Sequence, residues 1–210
     1  SNNSFSLHCP PLTIPTHKDK TMHTTYFGNI EWYRELLAAL QNYGTTDVLE
    51  DIIDSSERWQ KQTERNRCFI ATANGTQMLT VPVSVPEKTD GYITTGEIRI
   101  SDHGNWRHLH WNALSSAYGM SPFFDYYADD IKPFFTEKWE LLADYNLAVT
   151  KKMIELLGGD EILRQKTFKP SDKTEIKPYY QTFQKRHGFI PNLSILDLLF
   201  NEGPDSILFL

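Results

Sequence analysis

The sequence predicts an α/β fold, a single domain with a mixed central sheet that contains an antiparallel hairpin, flanked by helices and helical in its C-terminal half. Three observations predict it. Two β-prone runs, Cys68–Ala73 and Met78–Val83, flank Asn74–Gly75, a dipeptide typical of primed hairpin turns. Strand-like and helix-like segments alternate through the first half of the chain. Beyond Thr136 the apolar residues recur at helical spacing and are stopped by Gly158–Gly159 and Gly203–Pro204. The chain has 210 residues, 40% of them hydrophobic and 23% charged, which is enough apolar material for one core without disulfides or metals.

Ser1–Lys20 carries Pro10, Pro11 and Pro15 without sustained periodicity and reads as an extended leader, leaving residues 21–210 as the domain. His23–Phe27 is β-prone. Gly28–Asn29 is a turn and cap, and Ile30, Tyr33, Leu36, Leu37 and Leu40 form a helical stripe ending near Tyr43–Gly44. Asp47–Asp54 reads as a strand or a short buried segment. Pro82 and Pro86 end the second hairpin strand, and Thr94–Ile100 reads as another strand. Asn105 is a candidate cap for a helix over Trp106–Tyr118. Ser121–Phe135 interleaves aromatics with Asp125, Asp129 and Asp130, a pattern shared by carbohydrate platforms and by core walls with acidic caps, of which the core wall is preferred. Thr136–Leu157 is the longest expected helix. Asp160–Lys177 is a short connector helix and loop. Pro191–Asn192 caps a buried helix over Leu193–Phe200, inside which Asp197 is either at an exposed edge or a buried carboxylate that needs a partner, its pKa raised by desolvation unless it is paired.

Candidate chemistry falls in three clusters. The stretch Glu57–Arg67 supplies Lys61, Arg65, Asn66 and Arg67, with guanidinium forks suited to phosphate or carboxylate and an amide suited to sugar hydroxyls. Glu57 and Glu64 are close enough in sequence to neutralise it. Asp102, His103, Trp106 and Arg107 surround an expected helix start, where free N–H groups favour an anion. Lys185, Arg186 and His187 precede Gly188 and form the second basic cluster. His103 and His187 are the candidate general bases. At about 100° per residue, His110 faces the core and His108 the opposite side, so this pair does not close on one metal ion. No metal site is expected, since neither Cys9 nor Cys68 has metal spacing.

A formal charge of −6 argues against nucleic acid as a partner. No run approaches the roughly 18 apolar residues of a membrane span, and the N-terminus lacks a secretory signal, which predicts a cytoplasmic protein. Dinucleotide, P-loop, serine-hydrolase, zincin and kinase signatures are missing from the sequence.

Five blocks occur in order: Thr25–Tyr33, Gln60–Arg67, Asn74–Gly75 with Leu79–Val83, Ile100–Phe124, and Pro178–Gly203. In them the chain resembles the WbqC-like family of bacterial O-antigen gene clusters. It departs from that family's N-terminal His-Gln-Pro-x-Tyr-x-Pro-Trp pattern, in which Tyr26 alone matches cleanly and His23 lies one place from the expected histidine. The resemblance implies a role in surface-polysaccharide or modified-sugar synthesis. Together with the basic clusters it leads to the expectation of a group-transfer enzyme (acyl-, aminoacyl- or glycosyl-type) that binds a sugar or nucleotide-sugar ligand. Such an enzyme would take no resident cofactor, only a nucleotide-sugar or acyl-donor co-substrate. A non-enzymatic sugar-intermediate-binding or scaffold protein is the alternative, and a metal-dependent hydrolase ranks last.

Overall fold

A computed structural model of the chain describes residues 22–165, 168–171 and 175–210. The Ser1–Lys20 leader and part of the Asp160–Lys177 connector lie outside these. The helices are α1 (Ile30–Gln41), α2 (Leu49–Ile52), α3 (Trp106–Tyr118), α4 (Phe124–Ile131), α5 (Leu142–Leu157), α6 (Gly159–Arg164), α7 (Gln184–His187) and α8 (Ile195–Glu202). The strands are β1 (Arg67–Thr72), β2 (Gly75–Thr80), β3 (Val83–Ser84) and β4 (Arg99–Ile100). The fold is a single α/β domain with a helical C-terminal half. One apolar cluster joins α1, α5, α8, the inner faces of α3 and α4, and one face of the hairpin.

At the centre of this core lies α8, where Ile195, Leu196, Leu198, Leu199 and Phe200 are all fully buried. A helix this short is unstable alone. Burial of each such side chain contributes roughly 1.5–3 kcal/mol, so packing holds it. The Ser194 hydroxyl caps it by accepting from the Leu196 N–H, two residues beyond the cap expected at Asn192. Gly203 ends it in the left-handed region at φ 55°, where a Cβ would stand 2.5 Å from the Phe123 ring.

The strands form two antiparallel ribbons instead of one continuous mixed sheet; the parallel pairing among described residues is the Met22–Ile53 bridge. β1 and β2 pair in register from Arg67 opposite Thr80 to Thr72 opposite Gly75. The hairpin stands where the sequence puts it, but its turn is not of the primed kind. Positive φ occurs at Gly75 and not at Ala73 or Asn74, the signature of an ordinary turn closed by a glycine bulge. Pro82 ends β2, and β3 turns away to pair with β4.

Thr94–Ile100 is mostly a 3₁₀ turn, because Thr94 and Glu97 form a reciprocal capping box that outcompetes a strand, leaving only Arg99–Ile100 extended. Residues 136–141, expected as helix, are not helical: they leave the preceding 3₁₀ turn by a bend, and at their end the amides of Ile100 and Leu142 donate to the carbonyls of Glu140 and Ile98. α5 therefore starts at Leu142. Asp47–Asp54 is the short buried alternative, built on α2. His23–Phe27 forms no strand, and Phe27 adopts a left-handed φ of 43°.

Candidate functional site

The turn Phe27–Gly28–Asn29 is unusual for its backbone. A bulky residue at positive φ costs about 1–3 kcal/mol and persists only where neighbours enforce it. Here the approach to α8 does so: Ser194 Oγ donates to the Phe27 carbonyl at 2.7 Å and the Ile195 amide to the Gly28 carbonyl at 2.8 Å. Gly28 is required because a Cβ would stand 2.4 Å from Thr25 Oγ1. Asn29 caps α1 through the Trp32 amide. Gln62 and Asn192 also take left-handed φ values, 60° and 54°.

Gln62 and Asn192, with Asn29 at the end of the strained turn, line one cavity of about 190 Å³. Asn29 enters from the first turn, Gln62, Thr63 and Glu64 from the loop before β1, Arg67, Cys68 and Phe69 from β1, and Asn192 and Ser194 from the approach to α8. Arg67 Nε is buried there without a hydrogen-bond partner, a state that costs about 1–3 kcal/mol unless a ligand satisfies it. Glu64 Oε1 lies 2.7 Å from His23 Nε2. Partial burial alone would push the Glu64 carboxyl up, but a backbone hydrogen bond and His23 bring it below its usual value. Cys68 is not a nucleophile candidate, since burial pushes its thiol far above the usual range.

The other sequence candidates are distributed as follows. Arg65 is buried, and its guanidinium clasps Glu57 through Nε at 2.6 Å and Nη2 at 2.9 Å, so it serves the scaffold. Asn66 is buried and donates to the Val81 carbonyl. Lys61 is exposed on the loop. Tyr26 is fully buried, and its hydroxyl lies 2.7 Å from His110 Nδ1. His110 faces the core as its spacing predicts, and desolvation pushes its pKa down to about 4.

The second cluster gathers at the start of α3. Asn105 holds the cap position, but in a left-handed conformation and with no side-chain cap bond. Asp102 accepts from Arg107 Nη1 at 2.6 Å and Lys138 Nζ at 2.9 Å, and those two bonds, Lys138 first, hold its carboxyl below the usual range. The Arg107 guanidinium lies 4.7 Å from the Trp106 ring centre. His103 is exposed on the preceding 3₁₀ turn. The third cluster grips the hairpin: Arg186 donates to the Ala73 carbonyl, and both His187 ring nitrogens face carbonyl oxygens, those of Gly188 and Thr72, each at 3.1 Å. His187 thus ties α7 to β1 instead of presenting a free lone pair. Lys185 is exposed. Sequence reasoning missed Lys132, which fell in the stretch read as a core wall, Lys138, because residues 136–141 read as helix, and Gln62 and Asn192, whose left-handed backbone has no signal in residue type alone.

Fold and site together define a helix-rich α/β domain in which three separated stretches of chain build one small polar cavity. The chain belongs to the WbqC-like protein family, whose sequence pattern matches residues 50–176 and 158–208. It is also similar to the uncharacterised protein Rv1507c of Mycobacterium tuberculosis, at 27% identity over 202 residues that cover 76% of this chain and 86% of that one. No solved structure matches significantly. No described helix is long and apolar enough to cross a membrane.

Proposed function

We propose that the chain is a group-transfer enzyme of bacterial surface-polysaccharide or modified-sugar synthesis. It moves an acyl, aminoacyl or glycosyl group from an acyl donor or nucleotide sugar to a sugar acceptor, in the cytoplasm. The observation that carries this reading is the buried, unpartnered Arg67 Nε in the wall of a cavity built by residues of Thr25–Tyr33, Gln60–Arg67 and Pro178–Gly203. A guanidinium held this way binds a phosphate or carboxylate of the donor. His23 turns Nε2 to Glu64, which leaves Nδ1 to take the proton of the acceptor hydroxyl or amine. The acceptor lone pair then forms the new bond to the donor's electrophilic carbon, and the leaving group departs with its bonding pair.

The test is a mass-spectrometric transfer assay, paired with thermal shift, over nucleotide sugars and acyl donors. Arg67→Met should abolish donor binding without unfolding the protein. His23→Gln should keep binding and lose about 10²–10⁴-fold in turnover. His103→Ala and His187→Ala run alongside; a turnover loss confined to either one would move the base there. The second reading, a non-enzymatic binder or scaffold for a sugar intermediate, is favoured by the cavity's about 190 Å³, small beside the roughly 300–1,000 Å³ of common ligand sites. Binding with no transfer from any donor would establish it.

A further inference from the structure

The cap residue Asn105 and, on α3, His108, Asn112 and Ser116 follow at spacings of three, four and four residues as one exposed stripe. An outer helix face is ordinarily just solvated. This one is walled on both sides. Lys132, Thr136 and Lys138 stand along one flank and enclose about 550 Å³ with the N-terminal half of the stripe. The hairpin end, with Thr72, Asn74 and Gln77, stands along the other half and encloses about 380 Å³. Asn112 lines both cavities, so they adjoin at that side chain, one after the other along the groove beside α3.

The two ends of this groove differ in chemistry. At the first, Arg107, Lys132 and Lys138 face a single lining carboxylate, Asp102, which draws Arg107 and Lys138 together by bonding both. Lys132 has no ion-pair partner among the described residues, and Arg107 Nε is buried and unpaired. In a chain of net charge −6 this local excess of cations attracts anions only at short range. The second end has no charged lining residue: it offers the amides of Asn74, Gln77 and Asn112 and the hydroxyl of Ser116 above the small side chains Ala113 and Ala117, the Thr72 hydroxyl being taken up within the hairpin turn. Amides and hydroxyls that both donate and accept match neighbouring hydroxyls of a sugar ring. Between the ends, Asn112 Nδ2 lies 3.0 Å from His108 Nε2, which fixes the amide's orientation.

We infer that the outer face of α3 is a second binding site, for a sugar that carries a phosphate or carboxylate. The anionic group sits among Arg107, Lys132 and Lys138, and the ring hydroxyls pair with Asn112, Ser116, Asn74 and Gln77. This site uses neither Arg67 nor His23, so it stands or falls separately from the cavity beside β1.

The experiment is calorimetric titration of the whole chain, with amide chemical-shift mapping, using glucose 6-phosphate, glucuronate, glucose and inorganic phosphate. One of the two anionic sugars should bind at least about tenfold tighter than glucose or phosphate alone, and which of them does so distinguishes phosphate from carboxylate. Lys132→Ala with Lys138→Ala, both exposed, should weaken that sugar and inorganic phosphate alike by roughly fivefold to tenfold. Asn112→Ala should weaken the anionic sugar and leave phosphate unchanged. Shifts should map to residues 105–116 and 72–77, whereas binding at the cavity beside β1 would instead shift residues 62–69 and 192–194. An anionic sugar no tighter than phosphate, or affinity indifferent to both the lysine pair and Asn112, would overturn the site.

Discussion

Replacing Tyr179 or Tyr118 by phenylalanine tests whether a hydrogen-bonded carboxylate organises the centre of the fold. Asp197 is 1% exposed and inside α8. Its Oδ1 accepts from the Tyr118 hydroxyl at 2.7 Å, and its Oδ2 from the Tyr179 hydroxyl at 2.5 Å and Gln181 Nε2 at 2.9 Å. A hydrogen bond to a charged group contributes about 1.5–3 kcal/mol, so Tyr179→Phe should cost that much, with Gln181 still serving Oδ2. Tyr118 also accepts the Ala71 amide at 3.3 Å. Tyr118→Phe therefore orphans a backbone N–H as well and should cost about 1–3 kcal/mol more than Tyr179→Phe. In a chain of this length each kcal/mol lowers Tm by about 2–4 °C. Burial raises the Asp197 pKa, and the three donors oppose that rise. A carboxyl whose folded pKa is raised contributes most in acid and loses that contribution as pH climbs through the folded value. Removing a donor raises the folded pKa further, so both penalties should be fullest at neutral pH and smaller towards the usual carboxylate range. Urea melts of the three proteins at about pH 7.5 and pH 5 measure this. If Tyr118→Phe were no costlier than Tyr179→Phe, or if the penalties were equal at both pH values, the carboxylate would not be the organising group.

Other outcomes follow from the same structure. Arg65→Ala should destabilise the fold by about 3 kcal/mol in denaturant melts, because it strands the Glu57 carboxylate; Arg67→Met, whose guanidinium has a buried nitrogen without a partner, should be near neutral or slightly stabilising without ligand. His110 stays neutral in the fold down to about pH 4. As pH falls below its usual value near 6.5 the unfolded chain takes up a proton that the folded one refuses, so stability drops by on the order of 3 kcal/mol across that window. Following the imidazole by NMR and comparing the acid limb of the stability curve with that of His110→Gln checks both parts. Gly203→Ala should lower Tm by several degrees, since it combines a left-handed backbone with a Cβ 2.5 Å from a rigid ring.

Local chemistry explains which elements could be read from the chain. Trp106–Tyr118 and Ile30–Gln41 were legible because polar caps and glycine flank one unbroken stripe. The hairpin was legible from its apolar arms, although the turn type depended on which residue takes positive φ. Thr94–Ile100 misled because alternation and a capping box share the same letters. Thr136–Leu141 misled because its last residues, Glu140 and Leu141, pair with Ile100 and Arg99, some forty residues earlier. At the site, Arg65 and Arg67 look alike in sequence. Only the fold gives Arg65 to Glu57 and leaves Arg67 to the cavity. The α3 groove was half visible, through Asp102 and Arg107, while its walls come from segments that meet only in three dimensions.

The clamp between Ser194 and Phe27 joins positions 167 residues apart. During synthesis the turn that presents Asn29 leaves the ribosome long before the segment that holds it there. A nascent chain cut before Pro191 thus has the Arg67 guanidinium but not the strained turn or the last cavity wall. The complete cavity is therefore acquired late, in one step, when α8 docks, and if the proposed ligand binds there, a fragment lacking that helix should be inert at the cavity rather than partly active.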